Sequence, residues 1–592
     1  MQLIDNVTFS EKQQGQLQSR FSIWAGKLAH QYVLLAVISI IAIFFRFHKL
    51  GEWSFWIDEL FTVRDTLDHQ YSIFEMYNVG DPASFGFELI SITLLLIRLV
   101  FNSMGISEWS ARLAPAFIGV LTIPLLYFAV RKMFDPSIAL IAGALLAISN
   151  WHMYLSQNAR YYPALLLFYT LALGLIYLSL EEENPFYFLY SLVLLGLAAL
   201  ERAHALLFVP VVMFYFMLLI MLSFEIPRWL NLRNAIILVL TPVIIYVCYD
   251  VYRVFYAGDL SIVTVLLSGR FFGSPVLRPD WVLTGTITSI GSPLAVLAVV
   301  GSYYQLKERS RPGLFLVSGA VVPVMIIMAL SPFFFTGLHY TLLVLPCWIV
   351  LAAIGLKALY TQARTSPGWI GLALGLMLLL FLRDRVIRDL VYFYGQEARP
   401  EMLMGLSVLA LVGIIGGLLW LIQRSGRPAA RPTSNWLNRT ASAGVKLSQQ
   451  VKTQRGILAW SLVVLILLAH QLGGNYMYYE YQHGYRDNDW RSALRVVREN
   501  KADADMVVSA MPPVAAYYLG EEVVHMDEVD LDTVLDANRP VWFIDEYGVD
   551  ELMGDRFEIW AGEHCEVVDE FGRYMRGQLW KLKVQFCDPG RG

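Results

Sequence analysis

The chain has 592 residues, of which 57% are hydrophobic and only 16% are charged, and its formal net charge is −4. Soluble domains carry about 25% charged residues, so this composition excludes an ordinary soluble protein. The net charge gives no indication of nucleic acid as a partner, and we expect none. Apolar segments recur from Tyr32 to Ala469, many of them near the roughly 20 residues that a helix needs to cross a bilayer. The chain is therefore expected to be a multispanning α-helical membrane protein with the lipid bilayer as a partner.

The apolar segments divide the chain into spans and regions. Fourteen of them are candidate spans, and because several are short enough to be half-helices, we expect about 11 to 14 crossings. The composition changes at both ends of this body, which predicts a polar tail at 1–30, a membrane body at 31–472 with a loop at 48–85, and a soluble domain at 473–592. The candidate spans are residues 31–47, 86–104, 112–130, 138–150, 162–180, 186–200, 203–223, 234–250, 289–304, 313–330, 341–359, 368–382, 403–422 and 457–472.

Charge predicts the orientation in the plasma membrane. The segment 424–455 carries seven Arg and Lys residues and no Asp or Glu, which places it in the cytoplasm by the positive-inside rule. The basic N-terminal tail is also predicted to be cytoplasmic, and the C-terminal domain and the loop at 48–85 are then extracytoplasmic. This arrangement requires an odd number of crossings, so at least one of the fourteen candidates is wrong. We expect the incorrect candidate to lie in region 86–180, where the candidate spans are most closely spaced.

The C-terminal region is interpreted as a small α/β domain. Short apolar runs rich in valine predict strands, and the stretch from Pro512 to Leu519 is compatible with a helix. Cys565 and Cys587 lie in this domain, where an oxidising compartment would permit a disulfide. Their spacing alone leaves that pairing open. The predicted strands are residues 505–510, 522–526, 540–545, 566–568 and 579–584.

Two adjacent carboxylates, Asp58 and Glu59, follow the first apolar segment closely. Carboxylates are unfavourable inside a membrane and easily placed at its boundary with water. Aromatic residues between Trp53 and Trp56 suit the headgroup layer. A carboxylate held there could take a proton from a substrate that arrives from water. A solvated pair in a loop, without chemistry, explains these two residues alone equally well.

Other polar residues also stand at the edges of apolar segments. Arg46 ends the first span and is interpreted as an anchor that reaches the headgroups, with a phosphate contact as the alternative. Four further sets have the same placement, and they are Asp81-Pro82, Glu108 with Arg112, Arg160 with Tyr161, and His339-Tyr340.

Each of these sets has a structural and a functional interpretation. Glu108 and Arg112 are four residues apart, so an i,i+4 ion pair that stabilises a helix is the favoured interpretation. Arg160 either reaches the headgroups as an anchor or binds a lipid phosphate through its planar guanidinium. His339 and Tyr340 fit packing residues and ligand contacts equally well.

Five short motifs follow one another in an order that carries more information than any one of them. This order resembles that of the large membrane glycosyltransferases of the GT-C fold, in particular the relatives of protein mannosyltransferases and aminoarabinose transferases. The resemblance is continuous over about residues 1–180, patchier to 360, and returns at 473–520. The motifs are Trp56-Ile57-Asp58-Glu59, Glu108 to Pro115, Tyr127 with Arg131 and Phe134, Ser156 to Tyr162, and Tyr485 to Ala493.

The chain departs from the pattern of these relatives in two places. Many relatives have a His-Pro-Pro element after the first outer loop, where this chain has Asp81-Pro82. Many have an Arg-Tyr pair late in the membrane body, where this chain has His339-Tyr340. Both differences fall near the expected donor and acceptor sites, so the sugar and the acceptor stay open.

The resemblance implies an enzyme that moves a hexose or pentose from a polyprenyl-phosphate carrier to a glycan, lipid or protein acceptor on the extracytoplasmic side, with inversion. Asp58 is then the candidate base, and Glu59 orients the loop or binds acceptor hydroxyls, although the two roles are exchangeable. Arg160 is the first candidate for stabilising the departing lipid phosphate. Further candidates for contacts with the substrate or the lipid phosphate are Tyr161, Glu108, Arg112, His339 and Tyr340.

No cofactor follows from the sequence. Some relatives use a divalent metal and others do not, so a metal stays an open question. Asp58 and Glu59 alone are too few ligands for an all-protein Mg²⁺ site.

The main competing hypothesis is a polytopic transporter or flippase of lipids or sugars without transferase chemistry. That class uses polar residues at mid-membrane depth, on broken helices between internal repeats. The notable charges of this chain stand at segment ends instead, and the sequence shows no repeat.

Overall fold

The computed structural model describes most of the membrane body and of the C-terminal domain. The predicted span 403–422, the motif Asp81-Pro82 and nearly all of the predicted span 234–250 lie outside the described residues. The described residues are 11–68, 91–225, four single positions between 233 and 244, 279–331, 338–363, 367–387, 437–480, 489–531, 533–534, 539–545, 555–575 and 578–588.

Many helices of the membrane body begin at polar caps. The Ser107 hydroxyl accepts from the backbone N–H of Ser110, which caps the helix Glu108–Met133. Asp135 caps the helix Pro136–Ile148, and Pro136 occupies the first position of that helix. The helices are α1 (Glu11–Phe47), α2 (Ile57–Asp68), α3 (Ile92–Met104), α4 (Glu108–Met133), α5 (Pro136–Ile148), α6 (Asn150–Ser156), α7 (Tyr162–Glu181), α8 (Pro185–Glu201), α9 (Phe208–Met221), α10 (Pro279–Ile290), α11 (Ser292–Lys307), α12 (Arg311–Leu330), α13 (Leu345–Ala363), α14 (Pro367–Phe381), α15 (Leu437–Glu480), α16 (Trp490–Asn500), α17 (Pro512–Leu519) and α18 (Asp555–His564).

The prediction of a multispanning α-helical protein is confirmed. Within the described residues, seven helices are long and apolar enough to cross a bilayer, and the number reaches nine if two bent pairs each count as one span. The described part of the predicted span 86–104 forms α3, which has 13 residues. At 1.5 Å per residue it is about 20 Å long, whereas a bilayer core is about 30 Å thick.

Two of the predicted spans are broken helices. The span predicted at 138–150 contains most of α5 and ends at the first residue of α6, and these two helices meet at an angle of 58°. The span predicted at 289–304 contains most of α11, and α10 precedes it at an angle of 98°. The second bend is at Gly291, whose φ of 100° is accessible to glycine and strained for other residues. A break exposes backbone groups that need partners inside a membrane.

Gln471 and Asn475, one turn apart on α15, supply partners for both breaks. The Gln471 side chain donates to the carbonyl of Ile290, at 3.1 Å, and accepts from the backbone N–H of Asn150, at 3.2 Å. Asn475 donates to the carbonyl of Ile148, at 3.1 Å. Both amide side chains are buried. One helix therefore holds α5, α6, α10 and α11 in their bent arrangement.

Close helix contacts complete the membrane core. A methyl group on Gly301 of α11 would lie 1.9 Å from the carbonyl oxygen of Leu351, and one on Gly355 of α13 would lie 2.1 Å from that of Leu297. Only glycine permits this approach of two backbones. The surrounding core of buried apolar side chains extends from α1 to α15.

The C-terminal domain is the α/β unit that the sequence predicts. Its five-stranded sheet has the order β2-β1-β3-β5-β4, in which β1 pairs in parallel with β2 and β3, and the other two pairings are antiparallel. A disulfide joins Cys565, the first residue of β4, to Cys587, the last residue of β5. The strands are β1 (Met506–Ser509), β2 (Val524–His525), β3 (Val541–Asp545), β4 (Cys565–Met575) and β5 (Gln578–Cys587).

We predict that Gln471→Leu lowers the thermal stability of the full-length protein. The substitution leaves the N–H of Asn150 and the carbonyl of Ile290 without their partner, and an unpaired buried group costs about 1–3 kcal/mol. Leu465→Ala is the matched control, because Leu465 is exposed on the same helix. The measurement is the melting temperature in detergent micelles. Equal melting temperatures for the two variants would contradict the role given to Gln471.

Candidate functional site

The acidic pair lies in the first turn of α2, and its second member is completely buried. Glu59 binds Arg112 through two parallel contacts, with Nε 2.8 Å from Oε1 and Nη2 2.6 Å from Oε2. The exposed fraction is 0% for Glu59 and 3% for Arg112. Oε1 also accepts from the backbone N–H of Ala159, at 2.7 Å. Both oxygens of the carboxylate are therefore engaged inside the protein, and we predict a structural role for Glu59, in which it orients the loop.

Arg112 also organises the chain that leads to α2. Its guanidinium donates to the carbonyls of Leu50, Trp53 and Ser54, at 3.0 to 3.2 Å. The predicted i,i+4 pair with Glu108 is therefore corrected, because the ion pair of Arg112 is formed with Glu59. Arg112 lies inside the protein as part of the framework, and this placement gives it no contact with a lipid phosphate.

Glu108 contacts the C-terminal domain. Its carboxylate accepts from the hydroxyl of Tyr518, at 2.8 Å, and forms an ion pair with Arg491. The Tyr518 hydroxyl in turn accepts from the backbone N–H of Phe55, at 2.6 Å. Burial acts to lower the pKa of Arg491, but the hydrogen bond to the Glu108 carboxylate and its charge outweigh burial, and the net pKa is raised. The domain thus packs directly on the loop that carries the acidic pair.

Asp58 has a different environment from Glu59. It is half-buried, and its backbone carbonyl accepts from Nη1 of Arg160, at 2.9 Å. The same Nη1 donates to the hydroxyl of Thr62, one turn further along α2, at 2.9 Å. Arg160 follows Ala159, whose N–H binds Glu59, so one short segment contacts both members of the pair. The structure therefore places Asp58 and Arg160 in direct contact with each other.

A second guanidinium lies close to the first. The ring of Tyr161 contacts Arg160, with Cζ 5.1 Å from the ring centroid, and Arg202, with Cζ 4.5 Å away. Burial acts to lower the pKa of Arg160, but Tyr162, Tyr161 and the Asp58 carboxylate outweigh it, and the net pKa is raised. The pKa of Arg202 is raised in the same way, with Tyr161 as the main opposing cause to burial. Both side chains therefore keep their positive charge.

The aromatic side of this cluster comes from the segment at His339 and Tyr340. The His339 ring lies 5.3 Å from that of Tyr162, and the Tyr340 ring lies 5.1 Å from that of His204. The ring centroids of His339 and Tyr340 are 4.4 Å apart. Both predicted residues thus join the cluster of Arg160 and Tyr161 through ring contacts. We call the set of Asp58, Arg160, Tyr161, Arg202, His204, His339 and Tyr340 the cationic cluster.

Arg202 and His204 are members of the cluster that the sequence analysis missed. Arg202 stands between the predicted spans 186–200 and 203–223, and His204 is the second residue of the latter span. The criterion that selected Arg160, a polar residue at the edge of an apolar segment, would have selected Arg202 as well. Among the described residues, Nε of Arg160 and Nε of Arg202 are buried and have no hydrogen-bond partner. These donors suit an anionic group.

The prediction that Arg46 is a headgroup anchor also needs correction. It is completely buried, and its guanidinium donates to the carbonyls of Leu146 and Ala147 at the end of α5, at 3.0 and 2.8 Å. A further contact of 2.6 Å joins it to the Nδ1 atom of His152. Arg46 is therefore neither a headgroup anchor nor a phosphate contact. It satisfies carbonyls that the break between α5 and α6 leaves open.

The described residues supply no group of three or more His, Cys, Asp or Glu side chains placed to hold a metal ion. Glu59 is fully occupied by Arg112 and Ala159, which leaves Asp58 as the carboxylate of the pair that faces the cluster.

Comparisons with known proteins agree with this architecture. A family model described as dolichyl-phosphate-mannose-protein mannosyltransferase matches residues 92–249. A dolichyl-phosphooligosaccharide-protein glycotransferase 2 of Pyrococcus furiosus is 32% identical over 100 residues, which are 16% of this chain and 13% of that protein. The sequence match thus spans a small part of that relative.

The chain is a multispanning membrane protein with the GT-C fold, which confirms the resemblance predicted from the order of its motifs. The crystal structure of ArnT from Cupriavidus metallidurans bound to undecaprenyl phosphate superposes with a TM-score of 0.53 at 14% identity, covering 95% of this chain and 98% of ArnT. The apo structure of ArnT gives a TM-score of 0.51 at 15% identity over the same shares.

We predict that the two adjacent acids respond differently to amide substitution. Glu59→Gln leaves the buried Arg112 without its ion-pair partner, and breaking one side of a buried ion pair costs about 3–5 kcal/mol. Asp58→Asn, the matched control, keeps the backbone carbonyl that Arg160 binds. We expect a clear loss of monodisperse protein for Glu59→Gln on size-exclusion chromatography and a normal yield for Asp58→Asn. Normal yield and stability of Glu59→Gln would refute the structural role.

Proposed function

We propose that this protein transfers a sugar from a polyprenyl-phosphate carrier to an acceptor at the extracytoplasmic face of the plasma membrane. The GT-C fold supports this proposal, and so does the undecaprenyl phosphate bound to ArnT, the structure that shares the fold. The family model and the archaeal relative, both named for transfer from dolichyl-linked donors, point in the same direction. The donor is therefore a lipid-linked hexose or pentose, and the acceptor is a glycan, lipid or protein.

One observation carries the proposal, namely that half-buried Asp58 lies against Arg160, which has a second arginine as its neighbour. Nη1 of Arg160 lies 2.9 Å from the Asp58 carbonyl, and Arg202 contacts the same tyrosine ring as Arg160. A leaving phosphate needs positive charge held in place before the reaction, which two arginines provide. An acceptor hydroxyl needs a base within hydrogen-bond reach, which Asp58 provides.

The reaction proceeds by a single displacement at the anomeric carbon. Asp58 takes the proton of the acceptor hydroxyl while the hydroxyl oxygen forms its bond to that carbon. The bond between the carbon and the carrier phosphate oxygen breaks on the opposite face, and its electron pair stays on the phosphate. Arg160 and Arg202 stabilise the charge that the phosphate gains. This course inverts the configuration of the sugar.

The assignment to the extracytoplasmic face rests on charge and on cysteine chemistry. The C-terminal domain packs on the Asp58 loop, so the two share one side of the membrane. The disulfide between Cys565 and Cys587 fits a domain in an oxidising compartment. The basic segment 424–455 precedes the last span and fits the cytoplasm. The N-terminus is then cytoplasmic.

We predict that Asp58→Asn lowers sugar transfer by about 10²–10⁴-fold, which is the range for loss of a general base. The fall should appear in kcat, with little change in the KM for the donor. Arg202→Gln should lower kcat and also raise the KM for the donor, because Arg202 binds the donor phosphate. Asp527→Asn, at an exposed carboxylate of the C-terminal domain, is the matched control. The assay follows transfer from polyprenyl-phosphate sugars by the protein in nanodiscs.

The identity of the donor for this assay can be determined by mass spectrometry of lipid-linked sugars in cells with and without the gene. A carrier-linked sugar that accumulates on deletion identifies the donor. Full transfer by Asp58→Asn would remove Asp58 as the base. Movement of lipid-linked sugar between leaflets without any transfer, in proteoliposomes, would instead identify a flippase.

A further inference from the structure

A cavity of about 550 Å³ lies between the C-terminal domain and the membrane body, apart from the cationic cluster. One wall is formed by α16 and α17, and the other by the turn between α3 and α4. None of its lining residues belongs to the cationic cluster. We call this cavity the domain cleft. Its charge and its apolar side chains are not explained by the transfer reaction.

The domain cleft has a positive lining. Arg491, Arg495 and Arg498 are spaced by four and three residues on α16, so they share one face of that helix. Glu108 is the only acid among the residues that line the cleft. Three arginines against one glutamate leave an excess of two positive charges among the residues that line the cleft.

The three arginines are not equally engaged. Arg491 forms its ion pair with Glu108, and Arg498 donates to the backbone carbonyl of Tyr518. Arg495 is exposed and has no ion-pair partner within the part of the chain that the structure describes. A guanidinium in this position presents a planar fork of donors, which matches the oxygens of a phosphate group.

Apolar side chains are exposed in the turn between α3 and α4, which forms one wall of the domain cleft. Ile106 lines the cleft and is 46% exposed, and Met104 and Trp109, close to it in sequence, are 61% and 41% exposed. Tryptophan at such a place suits the headgroup layer of a bilayer. The half-exposed ring of Tyr517 lines the cleft beside the arginines. An occupant with an anionic head and an apolar tail matches both parts of this surface.

We infer that the domain cleft binds the phosphate-bearing headgroup of an anionic membrane lipid. Arg495 makes the main contact with the phosphate, Arg498 lies one turn away on the same face, and the acyl chains pass over Met104 and Trp109. Such a lipid would tie the C-terminal domain to the bilayer surface. This site is independent of the sugar-transfer reaction, so either proposal can fail without the other.

The test is native mass spectrometry of the full-length protein in micelles that contain phosphatidylglycerol or, for comparison, phosphatidylcholine. We expect retention of phosphatidylglycerol over phosphatidylcholine, about tenfold less retention in Arg495→Gln, and an intermediate loss in Arg495→Lys, which keeps the charge but not the fork. Arg556→Gln is the matched control, because Arg556 is an exposed arginine on α18 of the same domain. It should retain phosphatidylglycerol as the unmodified protein does.

Competition separates a lipid headgroup from a soluble phosphate. Glycerol 3-phosphate and inorganic phosphate share the anionic group but lack the apolar chains that Met104 and Trp109 would contact. We expect millimolar amounts of either to leave the phosphatidylglycerol adduct largely in place. Displacement of the adduct by glycerol 3-phosphate would overturn the lipid assignment in favour of a soluble phosphate. Equal retention of phosphatidylglycerol by Arg495→Gln and Arg556→Gln, both checked for normal melting, would overturn the site itself.

Discussion

The buried ion pair between Glu59 and Arg112 is the constraint on which the arrangement of the site depends. Two charges removed from water are tolerated only when their remaining hydrogen-bonding groups are satisfied. Here three backbone carbonyls and the N–H of Ala159 complete the set. The three carbonyls belong to the loop before α2, Arg112 to the start of α4, and Ala159 to the segment before α7, so the pair fixes these three parts of the chain in one geometry.

This constraint places the two neighbouring acids, Asp58 and Glu59, in different environments. Successive residues of a helix point about 100° apart, so when Glu59 is drawn into the protein, Asp58 is turned towards the cationic cluster. The C-terminal domain strengthens the same geometry from outside, through Tyr518 and Arg491 on Glu108 and through the bond from Phe55 to Tyr518. The domain is therefore part of the support of the site.

Local patterns in the sequence predicted local structure well and long-range pairing poorly. The α17 helix and the five strands of the C-terminal domain follow from apolar runs and turn residues. Spacing suggested that Arg112 pairs with Glu108, but the actual partner is 53 residues earlier in the chain, and spacing along a helix carries no information about such contacts. The break between α5 and α6 was hidden because Ser149 and Asn150 form short interruptions in a long apolar run. Arg202 was overlooked although the criterion that selected Arg160 applied to it.

The positions of Gln471 and Asn475 near the end of the membrane body have a consequence for biogenesis. Ribosomes deliver helices to the bilayer in chain order, so α5, α6, α10 and α11 enter before α15 has been made. Until then the open carbonyls of Ile148 and Ile290 lack their final partners. The helices around both breaks can therefore reach their final arrangement only after α15 has been inserted. Nascent chains that lack α15 would keep these carbonyls unpaired, and we expect proteases of membrane quality control to degrade them.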